Sequence, residues 1–532
     1  GIDVLQPDGE RAVFQRWVDI EVDSLLPEID GLIGELRRGL GESLASIESH
    51  SRPLLRVTTS NLEALRAYSL SHDAWVRGDF DGSIRLMEHA LKLDPDFAMA
   101  HAKLGTYYYS MQLPGRARPY LQRATELADR LVERERLYVE AASATYGRPE
   151  KAAEAWGLLG ALYPELGTGQ HNQAYILYQQ LDRCEEALPL FQQAAKTRAQ
   201  QNYVAAHFAG LCALRLSRFD IADTAFRDSL MLGGGNPLLF GQADLLSAQG
   251  KHEQAKALVS DELPKTPYLR FAALQRRTAA LVDGGELAEA LQHLDSVIAE
   301  ATGVDLAAAA RARAARLAIL WALGDPRLRA DIELVLTQSL PSLEQLSTQD
   351  DLAPFSLTVS AGLVAARAGF SDLAEQARSV AVQSEIWREL PIRAAHLAVL
   401  DAALRRMGRP IADPRFEADL LHARSGIRLL QFDWEELQGE RMSPGDLERF
   451  ANARGRAFAE WNEQQIEQPM NLLLLALARQ YALRERCKQG AEGSNCEAPP
   501  LDGLSPATRE ALGEASPFQS HWQSLPAPAS GA

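Results

Sequence analysis

The chain is poor in the residues and patterns that would mark an enzyme, a membrane span or a nucleic-acid binder. It carries four cysteines in 532 residues. Cys184 and Cys212 fall in helical stretches, where a free cysteine acts as a small apolar side chain. Cys487 and Cys496 flank the Gly-rich loop KQGAEGSN and can either close into a disulfide or stay reduced; a closed bridge would imply an oxidising compartment. No stretch approaches the ~18 apolar residues that cross a bilayer. The longest apolar run near the C-terminus, Leu472 to Ala478, reads as a buried helix face. Positive charge is in deficit, with 55 Lys and Arg against 71 Asp and Glu, a net −16. That argues against nucleic acid, which needs clustered cations. Arg311, Arg313 and Arg316 form a local basic spot on an alanine-rich helix and read as a solvated face.

Catalytic and metal-binding patterns are missing too. None of the eleven histidines lies three or four residues from another, so no helical metal pair exists. There is no Cys-x-x-Cys, no phosphate loop ending in Gly-Lys-Ser/Thr and no Gly-x-Ser-x-Gly elbow. Gly167-Thr168-Gly169 lacks both a preceding strand and a third glycine, and Gly233 to Gly235 reads as a loop. We expect no catalytic residue, no metal and no cofactor in this segment.

What the chain does have is a period. Small residues recur at Ser83, Ala117, Ala152, Ala187, Ala222, Ala255 and Ala290, at intervals of 34, 35, 35, 35, 33 and 35. Four residues after each stands a large apolar side chain: Met87, Leu121, Trp156, Phe191, Phe226, Val259 and Leu294. Five residues before several stands a glycine, at 78, 147, 250 and 285. A small residue, a knob one turn later and an upstream turn glycine describe a helical hairpin, and at this spacing it is the tetratricopeptide repeat. The expected fold is an all-α, right-handed solenoid preceded by a short N-terminal β-hairpin.

Residues 1–20 read as strand, turn, strand, and 21–60 as amphipathic helices with a connector. About seven regular repeats are expected over 61–300, irregular helical repeats over 301–425, and C-terminal helices over 426–487. One further unit is marked by Gly369 and Ala374. The Gly-, Pro- and Ser-rich stretch 488–532 is expected to be mostly mobile. A β-hairpin alone is marginal in water, so this one should pair with a missing sheet or rest on the first helices. The first helix of each repeat lines the inner wall, whose candidate ligand-binding residues are Tyr68, His72, Trp75, Tyr109, Asn172, Gln179, His207, Arg215 and Gln275. Aromatic and amide groups there suit an extended peptide; the other reading is that Trp75 and Tyr109 pack against neighbouring helices. A clamp for a C-terminal carboxylate would need paired Lys or Arg and Asn, where the first units offer Tyr68, His72 and Thr106.

The stretch VTTSNLEALRAYSLSHDAWVRGDFDGSIRLMEHALKLDPDFAMAHAKLGTYY, residues 57–108, resembles the C-terminal repeat regions of bacterial membrane signalling proteins. The nearest likeness is to adenylate/guanylate cyclases associated with peptide modification systems, with Ser/Thr kinase-associated repeat domains also similar. Leu25-Leu26-Pro27, Leu40 to Leu44 and Val57 to Leu70 follow in that family's order, and the likeness covers roughly residues 1–300. The resemblance implies that the hairpin ends an α/β domain, that an output domain and membrane anchor precede Gly1, and that the repeats face the periplasm. It transfers no catalytic residue. The expectation is a sensory or scaffold module that binds a peptide or protein, with a homodimer as one arrangement. The alternatives are a cytoplasmic adaptor and, third, a helical-repeat enzyme with a site near 300–480.

Overall fold

A computed structural model describes residues 2–5, 12–16, 25–39, 59, 61–111, 113–145, 147–181, 183–197, 202–216, 218–232, 239–259, 267–345, 353–383, 391–409, 473 and 503–511. It divides into two compact units, Gly1–Ala144 and Thr145–Ala532. The first unit opens with β1 (Ile2–Leu5) antiparallel to β2 (Ala12–Arg16), followed by a helix at Leu25–Gly39. Helices Leu62–Val76 and Phe80–Leu93 form one hairpin, Ala98–Ser110 and Pro114–Glu126 a second, and Glu133–Ala144 ends the unit. The second unit continues as antiparallel helices from Pro149–Leu162 to Pro391–Arg406, and a short helix follows at Pro506–Ala511. The fold is an all-α tetratricopeptide-repeat solenoid with a strand hairpin at its N-terminus.

The repeated residues explain the hairpins. All seven small positions are at most 1% exposed, because the second helix of each repeat crosses closest there. The large residue four positions on fills the space beside that crossing, and all seven are buried. Turns between the paired helices use a left-handed glycine: Gly78, Gly250, Gly285 and Gly369 have φ of 79, 81, 78 and 80°. In each, the next residue's N–H closes onto a carbonyl five residues back, as Asp79 does on Ala74 at 3.0 Å. A β-carbon would strain that conformation, which is why glycine stands there.

Glycine also sets the tightest contacts. A β-carbon on Gly169 would lie 2.1 Å from the Gly160 nitrogen, so two helix backbones touch there. This close approach accounts for the Gly167-Thr168-Gly169 stretch by packing. Gly210 and Gly241, on helices Asn202–Arg215 and Leu239–Ala248, both press on the Phe226 ring; added β-carbons would meet it at 2.4 and 2.5 Å.

After residue 300 the helices lengthen, with 18 residues each in Leu306–Leu323 and Leu328–Gln345. Helix Ala353–Arg367 is buried along most of its length. The region expected over 426–487 is described only at Leu473, which is fully buried in the core. Residues 503–511, placed by sequence in a mobile tail, form a turn and helix packed on that core. Among the described residues no helix is long and apolar enough to cross a membrane.

Gly210→Ala and Gly241→Ala should each lower stability by about 1–3 kcal/mol, because the Phe226 ring has nowhere to move. Gly78→Ala meets open space and carries only the backbone strain, about 1 kcal/mol. Urea unfolding midpoints of the three variants against the parent test this order.

Candidate functional site

The first helices of successive repeats face one another with polar and aromatic side chains, and each unit holds one such cluster. In the first unit, Trp75 lies flat on Tyr107, ring centres 4.1 Å apart and planes 5° from parallel, with Phe80 at 4.7 Å. His72 Nδ1 lies 3.3 Å from the Tyr107 hydroxyl, and Tyr68 packs on Phe97 at 5.1 Å. One helix further on, the Lys103 ammonium sits 4.7 Å from the Tyr138 ring centre, and the Thr106 and Tyr138 hydroxyls are 3.4 Å apart. Tyr109 is half-buried on the same helix as Lys103. Trp75 therefore packs between neighbouring helices.

Burial sets the electrostatics of this box. It pushes the Tyr68 phenol up to about 12, and raises Tyr107 further. The His72 imidazole is held below its ordinary value by burial and then by Lys103, so it is neutral. Burial alone would pull the Lys103 ammonium down, but the Tyr138 and Tyr68 oxygens hold it above the usual lysine value. It is thus a cation whose neighbours are phenols, and among the described residues no carboxylate lies within ion-pair distance of it. Glu135 is also buried; burial raises its carboxyl, against Arg134 at 3.8 Å, and Oε2 has no hydrogen-bond partner.

The second unit carries a polar strip across helices Asn202–Arg215, Leu239–Ala248 and Pro267–Asp283. The His207 ring sits between Phe208 and Phe226, at 5.8 and 5.6 Å, with Nδ1 enclosed and unbonded. The Arg276 guanidinium lies 5.3 Å from the Phe240 ring, and its Nε is 3.6 Å from Asp244 Oδ1. Arg276 Nε and Gln275 Nε2 are enclosed donors without a hydrogen-bond acceptor. Such groups are costly to leave unmade and mark where an acceptor would be welcome.

Other expected wall residues sit elsewhere. Arg215 and Gln179 are 3% and 8% exposed and do not present a surface. Arg215 folds over the Tyr178 ring, 3.4 Å from its centre, and donates to the Tyr178 carbonyl at 2.5 Å. Its charge serves the packing of helix Thr168–Gln179 against helix Asn202–Arg215. Asn172 is half-buried on the former. The solvated basic face expected at 311–316 is also corrected. Arg311 is buried, and Arg316 pairs with Asp295 at 2.6 Å and with Asp331. That helix is an inner element covered on several sides, so its arginines are largely enclosed. Cys184 and Cys212 are buried and form no disulfide; Cys487 and Cys496 lie outside the described residues.

Lys103, Tyr138 and Arg276 were missed by the sequence reading, and Arg311 was read only as part of a solvated face. A signal existed: Lys103 and Tyr138 are one repeat apart, as are Arg276 and Arg311, and all four stand one residue after the position of Tyr68, Asn172, His207 and Gln275. Among the described residues no group of three His, Cys, Asp or Glu could hold a metal.

No protein-family model matches the chain, and no curated protein matches it. Solved structures that align include the P58(IPK) TPR domain, at 13% identity over 63% of this chain and 98% of that one, TM-score 0.17. The APC/C hetero-tetramer Cut9–Hcn1 aligns at 13% over 84% and 96%, TM-score 0.24. Naa15/Naa10 bound to HypK-THB aligns at 12% over 86% and 70%, TM-score 0.20. At these scores the superpositions carry no argument, and the repeat assignment rests on the helix geometry above.

Burial holds His207 down to about 3, helped by Arg276, and His171 down to about 4. Unfolded, each takes a proton below about 6.5. The unfolded state then holds more protons, so this stability is complete above that pH and lost on acidification toward the folded values. Each histidine adds a slope of at most about 1.4 kcal/mol per pH unit. Urea midpoints should fall between pH ~6.5 and ~4, and the double change His171→Asn, His207→Asn should flatten the fall.

Proposed function

We propose that this chain is a protein- or peptide-binding repeat scaffold whose first-helix face takes an extended segment bearing carboxylates. The observation that carries this is Lys103, a cation ringed by phenols with no carboxylate of its own. Arg276, with its enclosed unbonded Nε, supports the same chemistry in the second unit. In a chain of net charge −16, each unit keeps one such cation on its own first helices. Hydroxyl, amide and guanidinium donors suit the carbonyls and side-chain carboxylates of an extended peptide.

The finer reading is that the scaffold is the extracytoplasmic sensory part of a membrane-bound bacterial signalling protein linked to a cyclase or kinase. The resemblance at residues 25–70 supports it, and the sequence encoded upstream of Gly1 tests it. A hydrophobic span and an enzymatic domain there are expected; their absence favours the cytoplasmic adaptor.

Selection of a random peptide display library on the whole chain should enrich Asp- and Glu-rich sequences. Enrichment should weaken about tenfold or more in Lys103→Met and in Arg276→Met, the loss of one charge-assisted contact. Peptides without acidic bias, or binding indifferent to both changes, would refute the proposal.

A further inference from the structure

Residues 503–511 come back onto a part of the chain almost two hundred positions away. Leu504 is buried in the same apolar cluster as Leu317, Leu320 and Leu328. The Ser505 N–H donates to the Ala322 carbonyl at 2.7 Å, and the Thr508 hydroxyl donates to the same oxygen at 3.0 Å. The Thr508 N–H in turn donates to Ser505 Oγ at 3.1 Å, which caps the short helix that follows. Thr508 is fully buried.

The receiving corner is the C-terminal end of helix Leu306–Leu323. The last carbonyls of a helix have no partner within it. Gly324, at φ 65°, turns the chain so that its own N–H and that of Asp325 reach Trp321 and Leu320. The Ala322 carbonyl takes its donors from Ser505 and Thr508. Gly324 is also the floor on which the segment lies, since a β-carbon there would stand 2.9 Å from Ser505 Cβ. The corner thus offers an apolar socket, an acceptor met by two donors, and a bare floor that admits only a small residue.

We infer that this corner is a docking site for a short Leu-Ser-Pro-x-Thr segment, occupied in cis by residues 503–511. Leucine fills the socket, serine fits the floor and caps the helix, proline starts the helix, and threonine supplies the second donor. A partner presenting the same pattern competes with the resident segment, so this end of the repeats recognises protein through a surface separate from the first-helix face.

The test uses the full chain and a fluorescein-labelled peptide of sequence LDGLSPATREAL, residues 501–512. In the chain carrying Leu504→Asp and Thr508→Val the resident segment no longer competes. The peptide should bind that chain about tenfold or more tighter than the parent, where the tethered copy is present at high effective concentration. The same peptide with Asp in place of its second leucine should bind neither. Amide exchange at residues 320–325 should quicken in the double variant and slow again on adding the peptide. Thr508→Val alone, nearly the same shape, should give an intermediate exchange rate and guards against misfolding of the double change. Equal binding to both chains, no binding to the double variant, or exchange at 320–325 indifferent to Thr508→Val would each overturn the inference.

Discussion

Close approach of paired helices is the constraint from which the rest of this structure follows. A hairpin of two short helices buries too little to stand alone, so each must seat its knobs against a neighbour. That seating needs backbones near enough for a leucine or phenylalanine to reach across, and hence a missing or minimal side chain at every crossing. Ser83 and the six alanines supply this along the array, and Gly105, Gly160, Gly169, Gly210 and Gly241 supply it where even a methyl would collide. Serine at the first crossing has a further role: its hydroxyl lies 3.0 Å from the buried Ser71 hydroxyl.

With the apolar seams fixed on one side of each hairpin, the first helices are left to face one another with whatever the sequence places there. Mostly these are groups with a local use, such as Arg215 over Tyr178 or Ser247 donating to Asp283 at 2.6 Å. Lys103 stands apart because its burial is met by phenols rather than by a carboxylate, and Arg276 because its Nε stays without a hydrogen bond although Asp244 lies 3.6 Å away. The usual outcome for a buried cation is a carboxylate at hand. Phenols and a ring face are a weaker substitute, and they leave donor capacity over.

The fold was legible because the repeat carries its own register: Ala187 and Phe191, or Ala222 and Phe226, mean the same thing in every unit. The same register put Tyr68, His207 and Gln275 on first helices, which is where they lie. It missed Lys103 and Arg276, one residue further on, because helical phase shifts slightly between repeats and one residue is a turn of about 100°. Arg215 was misplaced for a related reason. It ends its helix, where a long side chain can fold back over the preceding repeat. The docking of residues 503–511 was not legible at all. Gly, Pro and Ser there describe a loop by composition, and a contact spanning 186 positions leaves no local trace.

Phe226 belongs to two boundaries at once, the same ring edge meeting both Gly210 and Gly241. Length variation within these helices is therefore quantised. Adding or removing a few residues inside helix Asn202–Arg215, Phe219–Met231 or Leu239–Ala248 would slide a glycine away from the ring and put a methyl or larger group in its place. Only a change by a whole hairpin, carrying its own glycine and its own knob, preserves the fit. Descendants of this chain can lengthen or shorten by duplicating or deleting entire units, while the connectors between them can drift freely.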